Sequence, residues 1–260
     1  MPLPITLRTL LFLLALVAFC GTTAAALAAS REPASGETRT VSVAGFHKLR
    51  VDGDAVVMLV AGTTETLTVS VPERQRKDIR IEIDEDGLLR IRTRYEHGWW
   101  DHLFFGAPRK TPRLTLVYRN LDSIELTGAV KLVGTDLRSP RLDIAVSGAA
   151  SLQLAGVQTD ALRLDGSGAV KARLAGHATS QQIIISGAGK YDAPTLVSDE
   201  ARVQVAGAGK VIVQANRTLD VNLSGAAKVE YLGDPRVIQH ISGAGKVQRR
   251  RMAQSPSTSG

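Results

Sequence analysis

Apolar and polar residues alternate along most of this chain, with a period of two rather than 3.6. In Ile79-Arg80-Ile81-Glu82-Ile83 the alternation is unbroken, and Asp84-Glu85-Asp86-Gly87 then supplies a turn cluster. The same pattern predicts strands at Thr40–Val43, Leu49–Val51, Val56–Val60, Leu67–Val71, Leu88–Thr93 and Leu114–Tyr118. No stretch of the later chain carries convincing helical periodicity.

Beyond residue 120 the alternation acquires a longer period. Thr127-Gly128-Ala129-Val130-Lys131, Ser147-Gly148-Ala149-Ala150-Ser151 and Ser167-Gly168-Ala169-Val170-Lys171 begin a series. Ser186-Gly187-Ala188-Gly189-Lys190, Ala206-Gly207-Ala208-Gly209-Lys210, Ser224-Gly225-Ala226-Ala227-Lys228 and Ser242-Gly243-Ala244-Gly245-Lys246 complete it. The shared Gly recurs at intervals of 20, 20, 19, 20, 18 and 18 residues, a solenoid period. Four residues before it stand Ile124, Ile144, Leu164, Ile183, Val203, Val221 and Gln239, and an apolar residue usually recurs two later. Each repeat therefore offers strands with one buried face. The expected fold is all-β, a right-handed parallel β-helix (β-solenoid) with about 20 residues per coil. The Gly is expected at a corner needing positive φ or a Cβ-free contact, and the following Ala at a corner packed on its copies. Leu49-Arg50-Val51-Asp52-Gly53 imitates the approach to a repeat Gly and suggests an earlier, degenerate coil.

The N-terminus sets the expected compartment. Arg8, the apolar run Leu10–Phe19 and the small residues Ala24–Ala29 read as a secretory signal peptide over 1–28, with an uncleaved anchor as the alternative. Cys20, the only cysteine, rules out a disulfide framework. As a lipid attachment point it has the bulky Phe19 before it, where a small residue is wanted. The remaining organisation reads as a flexible lead at 29–40, one domain at 41–248 and a basic, Ser-rich disordered tail at 249–260. A periplasmic or extracellular location follows, with membrane contact only if the anchor is uncleaved or Cys20 is lipidated.

Charge and aromatics nominate two surfaces. The formal net charge is +7, and six of nine Lys lie three residues after the repeat Gly: Lys131, Lys171, Lys190, Lys210, Lys228 and Lys246. Stacked about 5 Å apart, their ammonium groups repel by roughly 0.8 kcal/mol per pair and are expected to splay into solvent. The column is a candidate anion-binding ladder for an acidic polymer; its bland reading is a solubility device that blocks edge pairing. The second candidate is the aromatic cluster Tyr95, Trp99, Trp100, Phe104 and Phe105. Trp99, Trp100, Phe104 and Phe105 are its candidate ligand or partner contacts. A sugar platform, a lipid-touching loop and a metal site at His97, Asp101 and His102 compete with a loop that caps the solenoid. With only 4% aromatics, specific nucleic-acid binding is not expected.

Catalytic signatures are missing. Read column by column, the outward carboxylates are never neighbours, as a glycan-cleaving pair would require. G-x-S-x-G, Walker and H-E-x-x-H motifs are also missing. The secretory start, the F-x-x-L-x-V-x-G approach at Phe46–Gly53 and the S-G-A-G-K ladder resemble the family of putative auto-transporter adhesins with a head GIN domain. Val130, Ala150, Val170 and Ala227 depart from its second Gly, and Ala206 from its Ser. The resemblance implies an envelope or secreted parallel β-helix and no catalytic residues. The expected function is a non-enzymatic envelope binding module without cofactors, its partner a glycan, an envelope protein or an anionic polymer. A β-helix enzyme acting on acidic polysaccharide and a purely structural envelope module are the alternatives.

Overall fold

The computed structural model of the chain describes residues 38–93 and 111–250. These form an all-β protein with one short 3-10 helix, Glu73–Asp78, and a curled twelve-stranded sheet of mixed strand orientation. The segment expected to be a signal peptide (with Cys20), the aromatic cluster and residues 251–260 lie outside the described residues.

Strands β1 (Thr38–Ser42), β2 (Lys48–Gly53), β3 (Ala55–Ala61), β4 (Thr66–Ser70), β5 (Ile79–Ile83), β6 (Leu88–Thr93) and β7 (Arg113–Tyr118) occupy the first half. Each falls within two residues of an alternating run in the sequence, and β1 starts inside the stretch expected to be a flexible lead. Here the all-parallel expectation fails. β1 pairs with β4, β4 with β7, and β5 with β6, all antiparallel. The reason for β5 and β6 is their connection: Asp84–Gly87 is a tight turn, and parallel neighbours need a far longer crossover. Gly87 N–H donates to the Asp84 carbonyl (3.1 Å), and Leu88 N–H to Asp84 Oδ1 (2.9 Å).

The repeats behave differently. β8 (Ser123–Thr135), β9 (Arg141–Gln214), β10 (Thr218–Leu232), β11 (Arg236–Ser242) and β12 (Lys246–Arg249) pair only in parallel. The register is that of the repeat: Gly128 opposes Gly148, and Gly207 opposes Gly225. As a straight strand, β9 would run about 240 Å. It does not, because a Cβ built on Gly187 would lie 2.7 Å from the Gly168 carbonyl oxygen, so successive repeats stack corner on corner. All seven repeat glycines have positive φ, from +104° to +136°. Both reasons for the glycine therefore hold together. The early coil is present as well: β8 lies on β2 through Ile124 and on β3 through Leu132, which puts Gly128 over Gly53. Beneath Gly53 the column ends in Thr93, whose hydroxyl donates to the carbonyls of Asp52 (3.3 Å) and Asp54 (3.1 Å).

The core is one apolar cluster running through every coil. Ile124, Ile144, Leu164, Ile183, Val203 and Val221 are all at most 1% exposed. The alternation breaks three times in a repeat, as at 147–149, between Leu154 and Val157, and between Thr159 and Leu162. The repeat alanines face solvent, contrary to the packed corner expected of them. The side chain one residue further on turns inward instead, which gives Val130, Ala150, Val170 and Ala227 their place in the core. Where Gly166 leaves space, Val170 fills it: a Cβ on Gly166 would stand 2.8 Å from Val170 Cγ2. In the next coil the sizes exchange, and a Cβ on Gly189 would meet Ile185 Cγ2 at 2.6 Å. One polar network sits in this interior. Tyr191 donates to Gln181 Oε1 (3.0 Å), and Gln181 Nε2 donates to Ser198 Oγ (2.7 Å) and the Gln214 carbonyl (3.0 Å). Burial pushes the Tyr191 hydroxyl pKa up, so it remains a donor.

Candidate functional site

Side chains at three and five residues before the repeat Gly, joined from Arg141 onward by the one seven before, share one face, since period-two alternation sends them away from the core. Stacking then brings Arg50, Arg141, Arg163 and Arg202 into register with Glu125, Asp143, Asp165 and Asp220. Arg50 pairs with Glu125 on the adjoining strand, and Arg202 Nε with Asp220 Oδ2 at 3.4 Å one coil away. Arg141 grips Asp143 through two nitrogens, at 2.8 and 3.3 Å. That hydrogen bond, with the carboxylate's charge, raises the Arg141 pKa further. Arg163 reaches Asp165 Oδ2 (3.1 Å) with one nitrogen and Gln182 Oε1 (3.3 Å), on the next coil, with another.

These pairs line two hollows of about 310 and 480 Å³ that share Arg141, Asp143 and Arg163. Together they make a polar groove across successive coils, floored by half-buried strand residues. Its lining carries four Arg against five carboxylates, Glu200 included, with uncharged Gln182 on the coil of Gly187, on strands about 4.8 Å apart. Such a surface suits a ligand with many hydroxyls, each able to donate to a carboxylate and accept from a guanidinium. A column-by-column search for paired carboxylates misses it, because each pair here joins opposite charges, within one column as in Arg202–Asp220 or between neighbouring columns as in Arg141–Asp143.

The lysine column lies elsewhere on the coils and is not uniform. Lys131, Lys171, Lys190 and Lys246 are exposed. Lys210 and Lys228, opposite each other in the β9–β10 register, do not splay. They converge on Glu230, at 3.0 and 2.6 Å. Gln248 Nε2 adds a third donor at 3.2 Å. Hydrogen bonds and charge from the two lysines lower the Glu230 pKa from 4.5 to about 2. One sunken carboxylate thus cancels part of the repulsion that a bare ladder would carry at Lys210 and Lys228. Glu230 stands two residues after Lys228, in a column where the other coils carry Val133, Gln153, Arg173, Asp192, Ile212 and Gln248. The contact partners Trp99, Trp100, Phe104 and Phe105, with His97, Asp101 and His102, fall outside the described residues. Among the described residues no group of three or more His, Cys, Asp or Glu side chains is placed to hold a metal ion.

The repeated corner and its parallel register match a known family model, that of the putative auto-transporter adhesin, head GIN domain, over residues 45–235. The chain belongs to this family. Several solved structures share its fold at low identity. A putative adhesin from Bacteroides fragilis is 16% identical with a TM-score of 0.74, covering 82% of this chain and 96% of its own. One from Parabacteroides distasonis is 20% identical with a TM-score of 0.62, covering 83% and 98%. A putative lipid binding protein from the same species is 18% identical with a TM-score of 0.58, covering 84% and 98%. No curated protein matches. Adhesin-like relatives suggest an envelope or extracellular protein, and no helix among the described residues is long and apolar enough to cross a membrane.

Proposed function

We propose that this head GIN protein is a non-enzymatic, adhesin-like binding module, secreted or periplasmic after loss of residues 1–28. Its coils close as a right-handed β-helix whose three corners per turn are the three breaks in the burial pattern. The observation that carries the reading is the groove of paired Arg and carboxylate side chains. It sets guanidinium donors beside carboxylate acceptors on several stacked coils, with Gln182 in their place on the coil of Gly187, which suits a chain-like ligand better than a single small molecule. Four Arg against five carboxylates is close to balance and favours a neutral or zwitterionic glycan there. The four exposed lysines remain a separate, salt-sensitive surface for acidic polymers.

A glycan array tests this with the wild type, Arg163→Ala/Arg202→Ala, and Lys→Gln at all six ladder positions. Expected is a set of bound glycans lost in the arginine variant and kept in the lysine variant, with little salt dependence. Loss only in Trp99→Ala/Trp100→Ala would move the site to the aromatic cluster. Release of reducing ends from a bound glycan would make the protein an enzyme, and a wild type that binds no glycan would leave the structural reading.

A further inference from the structure

The two ends of the described stack are finished differently. At the N-terminal end, strands β1, β4 and β5 extend the sheet in antiparallel pairing. At the other end β11 pairs, among the described residues, with β10 alone, in the same parallel register as the coils before it. Its inward column continues the core but is left open: Leu223 is 0% exposed, whereas Ile241, one coil later, is 41% exposed. Arg236 N–H donates to the Arg217 carbonyl at 2.8 Å, so the backbone groups of 236, 238, 240 and 242 face β10. Those of Val237, Gln239 and Ile241 then face outward, three N–H donors and three C=O acceptors along a free edge.

We infer that this edge pairs with the β11 edge of a second copy of the chain, antiparallel and centred on Gln239. In that register Val237 opposes Ile241 of the second copy on both sides of the axis, and all six free backbone groups are used. Arg236 falls opposite Ser242, so no like charges meet across the strands. The two Gln239 amides meet at the axis, where each can donate to the other. This gives a role to the one polar residue in a column otherwise filled by Ile, Leu and Val. The neighbouring edge strand β12 is unsuited to self-pairing, because Lys246 and Arg249 within it and Arg250 just after it give it positive charge. Residues 251–260 hold one large apolar side chain, Met252, and Pro256, and cannot supply the alternating pair that Val237 and Ile241 call for. Six hydrogen bonds correspond to roughly 600–1,200 Å² of interface, the range of weak, reversible association.

Sedimentation and amide exchange across the micromolar range test the pairing. The wild type should pass from monomer to dimer, with the amides of Val237, Gln239 and Ile241 protected only in the dimer. Gln239→Pro removes a free-edge donor that the β10 ladder does not use, a place where proline is tolerated. It should keep the melting temperature and weaken association at least about tenfold. Ile241→Lys should do the same, and serves if the proline variant fails to fold. A wild type that stays monomeric overturns the inference, as does undiminished dimerisation in both variants. Protection at low concentration that disappears on deleting 251–260 would assign the edge to the chain's own tail and equally overturn it.

Discussion

The exchange of sizes between Gly166 and Val170 can be measured as an interaction. Val170→Ala removes two methyl groups from a site 4% exposed, costing about 2 kcal/mol in transfer and residual cavity. Gly166→Val drives a side chain into Val170, already 2.8 Å from the new Cβ, and such overpacking costs about 1–3 kcal/mol. No positive φ opposes the second change, so the strain is steric. Independent sites would lose about 3–5 kcal/mol together. The double variant, however, copies the pair Val146 and Ala150 of the preceding coil, both buried there. It should return to within about 1 kcal/mol of wild type, a coupling of about 2–4 kcal/mol. Urea unfolding of the four proteins, read by circular dichroism, gives the cycle. Additivity within about 0.5 kcal/mol would refute the compensation and make the sizes incidental.

Gly187→Val places a branched side chain at φ +121° against the Gly168 carbonyl, and should lower the melting temperature by at least about 5 °C; an unchanged value would count against stacked corners. Tyr191→Phe leaves Gln181 Oε1 buried without its donor and should cost about 1–3 kcal/mol in a chemical melt, far more than the lost hydroxyl would at the surface. Glu230 has a folded pKa of about 2 against 4.5 when unfolded, so its stabilisation is complete above pH 4.5 and disappears as pH falls towards 2. Allowing for solvent at the half-exposed lysines, this is about 1–2 kcal/mol. Glu230→Gln should flatten that part of the stability–pH curve, and an unaltered slope would show that the lysines do not act on it.

The strands were legible because a half-buried strand must alternate, and the corner because only glycine satisfies both its φ and its contact. Orientation was less legible. Ile79–Ile83 and Leu88–Thr93 read equally well as coil strands, and only the four-residue turn between them dictates an antiparallel pair. The groove and the Glu230 clamp escaped for different reasons. In the groove Arg202 and Asp220 are neighbours in one column, and Arg141 and Asp143 in one coil, but a search for paired carboxylates passes over opposite charges. Lys210 and Glu230 lie one coil and one column apart, a diagonal that no single column displays. Gln181 and Ser198 were invisible in another way: a lone polar residue near a corner looks like surface until Tyr191 is seen to reach it.

Stacked, register-locked coils also dictate how such a chain can change length. Losing one residue inside a strand would flip every later side chain of that strand from core to solvent, so single-residue indels are confined to the corners. That is where the intervals of 18, 19 and 20 residues differ. A whole coil is another matter, because each one touches only its two neighbours. Removing or duplicating a full repeat re-forms the same glycine contact, and a coil such as 141–160 brings its own Arg–Asp pair with it. Growth by complete coils therefore lengthens the stack without redesigning its core, and makes length a property that duplication alone can tune.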